Sequence, residues 1–251
     1  MNRDSDLLCA WLFGFSLLLA FFHILPPFLT SFFIWPLSWG DALDFFTPFI
    51  VIPSAFMIYS RLRAISLSPH GQVSSTRSLN IAGKIVLAVG FLCYAEGHGL
   101  HLSANSLARL LRDVRESEIF KATYLYDEII SHFIWIAGLF LVSLSLILLA
   151  SKLSLPSLSR KKVVLITTGA AFYGFTFTVE AIEGQTVVLA FPAAAAGFLV
   201  AFFLYLRRRK QGIENFLLLF FAIAYLLSVV LFSYWGLSRS GFPQFSELGW
   251  I

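Results

Sequence analysis

The chain has 251 residues, of which 58% are hydrophobic and only 13% are charged, and its formal net charge is +4. A soluble domain carries about 25% charged residues, so this composition excludes an ordinary soluble protein. Two cysteines exclude a disulfide framework. The basic residues lie in short segments between apolar runs, where membrane orientation accounts for them without a nucleic-acid partner.

Seven apolar runs follow one another, and each has the roughly 20 residues that a helix needs to cross a bilayer. They cover approximately residues 7–25, 43–60, 79–101, 128–150, 162–182, 187–206 and 215–235. A helix satisfies its own backbone hydrogen bonds in lipid, so the runs are predicted to be helical. The fold class that follows is all-α: a polytopic membrane protein with a bundle of seven transmembrane helices, in a single domain over residues 1–251.

The longest connection, between the third and fourth runs, carries a helical pattern of its own. Leu107, Leu110, Leu111 and Val114 recur at helical spacing among charged residues. The pattern predicts an amphipathic helix over about 103–120 that lies on the membrane surface. Such a helix would either cover the mouth of a site or serve as a plain connector.

Basic residues are distributed unequally between the two sets of loops. Of the 18 basic residues, 13 lie at the N-terminus or in the second, fourth and sixth loops, which include the run Arg207–Lys210. The positive-inside rule therefore predicts a cytoplasmic N-terminus and an external C-terminus. We expect an integral protein of the plasma (inner) membrane, with His70 exposed in a cytoplasmic loop.

Acidic residues and histidines gather at the opposite face. With this topology, 11 of the 14 acidic residues and four of the five histidines fall on the outer half of the molecule. An ionisable group within a membrane segment costs about 2.5–3.5 kcal/mol unless it is paired or wet. So many such groups at one depth are predicted to share partners, water or a metal ion.

Helical spacing sorts these residues into pairs that project from one face of each span. Four such pairs follow one another along the chain: Asp41 with Asp44, His98 with His101, Glu128 with His132, and Glu180 with Glu183. His23, Asp41 and Asp44 fall at the same depth, where the capping of helix ends explains them as well. The pairs therefore predict one shared polar site between the spans.

The chemistry of these residues favours a metal centre. The candidate metal ligands are His98, His101, His132, Glu96, Glu180 and Glu183. Three imidazoles and a carboxylate suit zinc with an open position for water, whereas a carboxylate-rich set would suit iron or manganese. Glu128 or Asp127 is then the candidate general base, and Ser131 is the candidate group that orients an oxyanion or a ligand.

The inventory of three histidines, an aspartate and a serine within seven spans is similar to that of the alkaline ceramidase and adiponectin-receptor superfamily. That family places a serine and a histidine on an early span and an H-x-x-x-H pair on its last span. The seventh span of this chain has no histidine. The resemblance is therefore one of chemical inventory, and it assigns no residue a role.

Four functions compete for this site. The leading prediction is a metal-dependent membrane enzyme that hydrolyses a lipid-like substrate, with the lipid bilayer as its surroundings. The alternatives are a metal-ion or proton transporter, a haem-binding electron carrier with two histidine ligands, and a non-enzymatic sensor or scaffold. Few polar residues continue towards the cytoplasmic face, which disfavours transport. The sequence leaves the oligomeric state open.

Overall fold

Eight α-helices follow one another in the computed structural model, which describes residues 3–67, 77–155 and 157–250. They are α1 (Arg3–Ile24), α2 (Trp39–Leu67), α3 (Arg77–Leu110), α4 (Glu118–Tyr124), α5 (His132–Ala150), α6 (Arg160–Glu183), α7 (Val187–Lys210) and α8 (Phe216–Arg239). Between α1 and α2, a short antiparallel hairpin pairs β1 (Phe32–Ile34) with β2 (Leu37–Ser38). His70, which was predicted to lie in an exposed loop, is outside the described residues.

Seven helical stretches within these ranges are long and apolar enough to cross a bilayer. Six of them are centred on one α-helix each. The remaining stretch, which is the fourth along the chain, runs from Glu118 to Ala150 and includes both α4 and α5. Large apolar side chains also cover the outward-facing surface, where Phe49 and Phe203 are exposed, as lipid contact requires. The chain is a helical membrane protein, and the predicted all-α bundle of seven transmembrane helices is confirmed.

The surface helix predicted over about 103–120 does not form as one unit. Instead, α3 continues through Leu110, and a 3₁₀ turn separates it from α4. α3 keeps its helical phase beyond residue 103 because Asn105 and Arg109 both reach back to Asp41 at the start of α2. The amphipathic pattern therefore belongs to the end of a long transmembrane helix.

The start of α2 is fixed by reciprocal capping bonds. Ser38 Oγ accepts a hydrogen bond from Asp41 N–H at 3.1 Å, and Asp41 Oδ2 accepts one from Ser38 N–H at 2.6 Å. Arg109 pairs with both carboxylate oxygens of Asp41 and also donates to Pro36 O at 3.0 Å. Asp41 thus has a structural role, because it ties the start of α2 to the end of α3.

α3 and α5 approach each other closely because glycines face the contact. A Cβ atom on Gly97 would lie 2.6 Å from the Cβ atom and backbone nitrogen of Trp135. A Cβ atom on Gly138 would lie 2.5 Å from the backbone nitrogen of Tyr94. Small residues permit such contacts between membrane helices. The packing seats the histidine-bearing part of α3 directly against the first turns of α5.

Between α4 and α5, the backbone forms a π-helix over Leu125–Ser131. Its hydrogen bonds run from residue i to residue i+5, and such segments are frequent at functional sites. Asp127 and Ser131 are buried within it, and the Ser131 hydroxyl donates to the carbonyl oxygen of Asp127. The π segment therefore decides which polar residues of the fourth span face the interior of the bundle.

The two ends of the bundle differ in chemistry. At one end, Lys162 pairs with Asp6, and Arg61 lies 3.7 Å from Asp4. Four histidines lie together at the other end, which we call the histidine end. Which of the two ends faces the cytoplasm stays a prediction.

Candidate functional site

A cavity of about 600 Å³ opens at the histidine end. Side chains from α1, α2, α3, α5 and α6 line it, together with the π segment and the hairpin region. Apart from Asp41, which is paired with Arg109, the histidines and acidic residues that line it are His23, His98, His101, His132, Asp44, Glu128, Glu180 and Glu183. Residues that are far apart in sequence therefore share one cavity.

The four imidazole rings surround one tryptophan, Trp135 of α5. His98 stacks on the indole with ring centroids 4.3 Å apart, and the rings of His132 and His101 contact it edge-on at 4.6 and 5.3 Å. His23 lies 5.2 Å from His98, and His101 lies 4.9 Å from His132, between ring centroids. Trp135 thus forms the floor of the histidine cluster and sets the spacing of the rings.

Two of the histidines contact aspartates, of which Asp127 is buried and Asp44 is partly exposed. His98 Nδ1 lies 3.1 Å from Asp44 Oδ1, and His101 Nδ1 lies 2.9 Å from Asp127 Oδ1. A carboxylate at this position fixes the ring orientation and increases the basicity of the opposite nitrogen. For His98, whose contact is a hydrogen bond, Nε2 is therefore the nitrogen available to anything else that binds, whereas the His101 contact has the distance of an ion pair without hydrogen-bond alignment.

The other two histidines are oriented by backbone carbonyls one turn earlier. His23 Nδ1 donates to Leu19 O at 2.9 Å, and His132 Nδ1 donates to Glu128 O at 2.8 Å. A carbonyl oxygen only accepts, so Nδ1 carries the proton in each of these two rings, and Nε2 is the acceptor nitrogen of the neutral ring.

The Nε2 atoms differ in what they contact. His23 Nε2 is bonded to the Tyr94 hydroxyl at 3.0 Å. His98 Nε2 is buried without a hydrogen-bond partner among the described residues. His101 Nε2 and His132 Nε2 also form no hydrogen bond with the part of the chain that the structure describes. These last three nitrogens belong to the three histidines predicted from the sequence.

Glu96 does not join the site, contrary to the prediction. Its side chain is exposed on the outer surface of α3 and does not line the cavity. The reason is helical phase: two residues turn a helix by about 200°, so Glu96 and His98 face opposite directions. The carboxylate that contacts His98 comes from Asp44 of α2 instead.

The three candidate catalytic residues of the fourth span do not lie together at the cavity wall. Glu128 lines the cavity, with its Oε2 atom 4.0 Å from His132 Nδ1. Asp127 lies at ion-pair distance from His101, and Ser131 is fully buried with its hydroxyl bonded to Asp127 O. Neither Asp127 nor Ser131 lines the cavity. Of the three, only Glu128 could contact a molecule bound in the cavity.

Glu180 and Glu183 both line the cavity, but their surroundings differ. Glu183 Oε2 accepts hydrogen bonds from the backbone nitrogens of Phe245 and Ser246 at 2.7 and 3.3 Å. Glu183 therefore anchors the segment that follows α8. Glu180 makes no hydrogen bond or ion pair with the described residues, which leaves its carboxyl group free for a ligand.

Three members of the cluster were not among the predicted site residues, although the sequence held signals for two of them. Trp135 lies three residues after His132, and Tyr94 lies four residues before His98, so each shares a helix face with a histidine. His23 has no such partner in its own helix. Its pairing with Tyr94 depends on the packing of α1 against α3, which spacing alone does not reveal.

The donor set fits a divalent metal chemically, since three imidazoles offer an unbonded Nε2 and carboxylates lie beside them. The positions of these side chains are less favourable for holding a metal ion. Among the residues that the structure describes, no three His, Cys, Asp or Glu side chains are arranged so that they could hold one ion. His98, His101 and His132 all pack against Trp135, so a common ligand would require the imidazoles to turn towards the cavity.

The fold and the site together define a helical membrane protein with a histidine- and carboxylate-lined cavity at one end. Comparison with protein-family models, with curated proteins and with solved structures finds no match for the chain. Its function must therefore be inferred from the geometry and chemistry of the cavity.

Proposed function

We propose that the protein is a membrane-embedded hydrolase whose histidine cluster binds a divalent metal ion, with zinc the first candidate and iron or manganese the others. The observation that carries the proposal is the state of His98, His101 and His132. Nδ1 of His98 and Nδ1 of His132 are each hydrogen-bonded to an oxygen atom of the protein, and Nδ1 of His101 lies at ion-pair distance from Asp127, while Nε2 of all three forms no bond with the described residues. Histidines that bind metals have this arrangement, because the second-shell acceptor fixes the ring and its tautomer.

The carboxylates of the site take different parts in this proposal. Asp44 and Asp127 orient His98 and His101, so they act through those rings rather than on a substrate. Glu128 lies on the cavity wall and is the candidate general base for a water molecule. A bound metal ion would supply a water activated for attack and would polarise the bond to be cleaved.

The surroundings of the cavity favour an amphiphilic substrate. Apolar side chains line part of the cavity, including Phe22, Leu29 and Phe32, and Phe32 is also exposed on the surface. A site of this kind can be reached by a molecule that already resides in the bilayer. Hydrolysis of a lipid-like ester or amide is therefore the reaction that best suits a polar cavity in an apolar protein.

Elemental analysis of the purified protein tests the metal. We expect about one metal ion per chain in the wild type after incubation with zinc, iron(II) or manganese, and none in the double variant His98→Ala/His132→Ala. Glu96→Gln is the matched control, since Glu96 is exposed and away from the cavity. It should retain the metal.

Two further measurements complete the test. Size-exclusion chromatography establishes whether the double variant is folded, and release of product from a long-chain ester probe measures hydrolysis. A wild type that binds none of the three metals stoichiometrically would remove the metal-dependent mechanism. Metal binding without any hydrolysis of amphiphilic esters or amides would instead favour a transport or sensing role.

A further inference from the structure

A second cavity, of about 460 Å³, lies beside the first and is almost wholly apolar. α1, α6, α8 and the segment after α8 form its walls, and its main apolar side chains are Phe28, Phe175, Val179, Leu231, Tyr234 and Trp250. Phe175 and Tyr234 are 45% and 67% exposed, so they lie on the surface that faces lipid. The apolar cavity is therefore accessible from the bilayer.

The two cavities meet at a shared wall. His23, Pro27, Glu180 and Glu183 line both of them. Glu183 is held by the backbone of the segment after α8, whereas Glu180 has no hydrogen bond or ion pair within the described chain. A free carboxyl group thus marks the point where an apolar compartment becomes a polar one.

The polar cavity carries an excess of acidic groups. Once the Asp41–Arg109 pair is set aside, four carboxyl groups line it, against the guanidinium group of Arg112 and four imidazoles, one of which contacts Asp44. Walls of one charge sign attract ligands of the opposite sign and repel those of the same sign. A phosphate or carboxylate headgroup is therefore disfavoured, and a protonated amine is favoured.

The selectivity must come from the headgroup and not from the chain. Bilayer hydrocarbon is as apolar as the cavity wall, so moving an alkyl chain between them gains little free energy. The apolar cavity gives the chain a place of defined shape, and Glu180 gives the headgroup a carboxyl partner that no other described residue engages.

We propose that the joined cavities bind a single-chain amphiphile with an amine headgroup, its alkyl chain in the apolar cavity and its amine beside Glu180. Such an amphiphile is then the substrate class of the proposed hydrolase. The claim that it is a substrate rests on the proposed function. The binding itself requires neither metal nor hydrolysis. It can therefore be measured separately.

Photolabelling in nanodiscs of zwitterionic phosphatidylcholine tests the binding. The probe is a long-chain amine with a diazirine at the end of its chain, and the competitors are dodecylamine, dodecanol and dodecanoate. We expect saturable labelling of α6 and α8 that dodecylamine prevents at a concentration about tenfold lower than dodecanoate, since charge is the discriminating term. Dodecanol should lie between the two.

Two variants connect the result with the structure. Val179→Trp places a large ring in the apolar cavity and should reduce labelling about tenfold, whereas Val164→Trp, on the exposed surface of α6 near its other end, should not. Glu180→Gln should bring the affinities for dodecylamine and dodecanol together. A purely structural role of Glu180 would weaken both equally.

Several results would overturn the proposal. The first is the absence of saturable labelling, and the second is competition by dodecanoate as strong as that by dodecylamine. The third is labelling that Val179→Trp leaves unchanged, which would indicate that the probe contacts the protein surface from the bilayer without entering the apolar cavity. The labelling is carried out on metal-loaded and chelator-treated protein. Selective amine binding by a protein without metal or hydrolysis would therefore refute only the enzymatic function, and hydrolysis without amine selectivity would refute only this inference.

Discussion

Replacement of Gly97 by alanine should separate the two helices that bring the histidines together. The added Cβ atom would lie 2.6 Å from both the Cβ atom and the nitrogen of Trp135, and 2.7 Å from Ser131 O. These atoms belong to the backbone or are attached to it, so no side-chain rotation relieves the contact. To reach the 3.4 Å of ordinary contact, α3 and α5 must move apart by about 0.8 Å, and overpacking of this kind costs about 1–3 kcal/mol.

The intrinsic preference of helices for alanine over glycine returns about 1 kcal/mol, so the net destabilisation should be about 0–2 kcal/mol, and about 1–3 kcal/mol relative to a glycine-to-alanine change without the contact. For a chain of this size, the unfolding temperature should fall by up to about 8 °C. Thermal unfolding in detergent, followed by tryptophan fluorescence, measures the change. Metal content should fall as well, because Trp135 and the histidines are displaced relative to one another.

Gly99 provides the matched control. It lies two residues away in the same helix, but a Cβ atom there would meet nothing within 4 Å. Gly99→Ala should therefore keep or slightly raise the unfolding temperature. If Gly97→Ala and Gly99→Ala unfold at the same temperature and bind equal amounts of metal, the close approach of α3 and α5 does not hold the site, and the reasoning fails.

Two further substitutions test other parts of the structure. Arg109→Met leaves the buried Asp41 carboxylate without its cation and should lower the free energy of unfolding by about 3 kcal/mol. The control is Arg112→Met, at an exposed position, which should change that free energy by less than about 0.5 kcal/mol. Equal thermal unfolding of the two variants would contradict the structural role of the Arg109–Asp41 pair. Ser131→Ala removes a hydroxyl bonded to Asp127 O and should cost about 1 kcal/mol with the metal content and probe hydrolysis unchanged. A large loss of hydrolysis in a folded Ser131→Ala protein would restore the catalytic role predicted from the sequence.

The membrane fold could be predicted from sequence because it depends on composition and run length. Each run is long enough to span a bilayer, and a helix is the simplest element that satisfies its own backbone there. The histidines could also be predicted to share a face, since His98 and His101 are three residues apart on one helix. Their approach to His132 required only that consecutive spans pack side by side.

The acidic partners could not be assigned in the same way. Glu96 is two residues from His98 in the sequence but faces away from it, whereas Asp44 is 54 residues away and contacts it. Sequence spacing fixes which residues share a face of one helix, but it does not fix how neighbouring helices are rotated about their axes. That rotation depends on packing, and here it depends on where α2 is tied to α3 through Asp41 and Arg109.

The π-helix over Leu125–Ser131 carries a consequence for protein engineering. A π turn holds one residue more than an α turn, so removing a single residue from it would return the segment to regular α geometry. Because an α turn and a π turn each complete 360°, α4 would keep its direction relative to α5, and the change would be confined to the residues within the segment. A one-codon deletion there would thus alter which polar residues of the fourth span face the interior of the bundle without re-orienting the flanking helices.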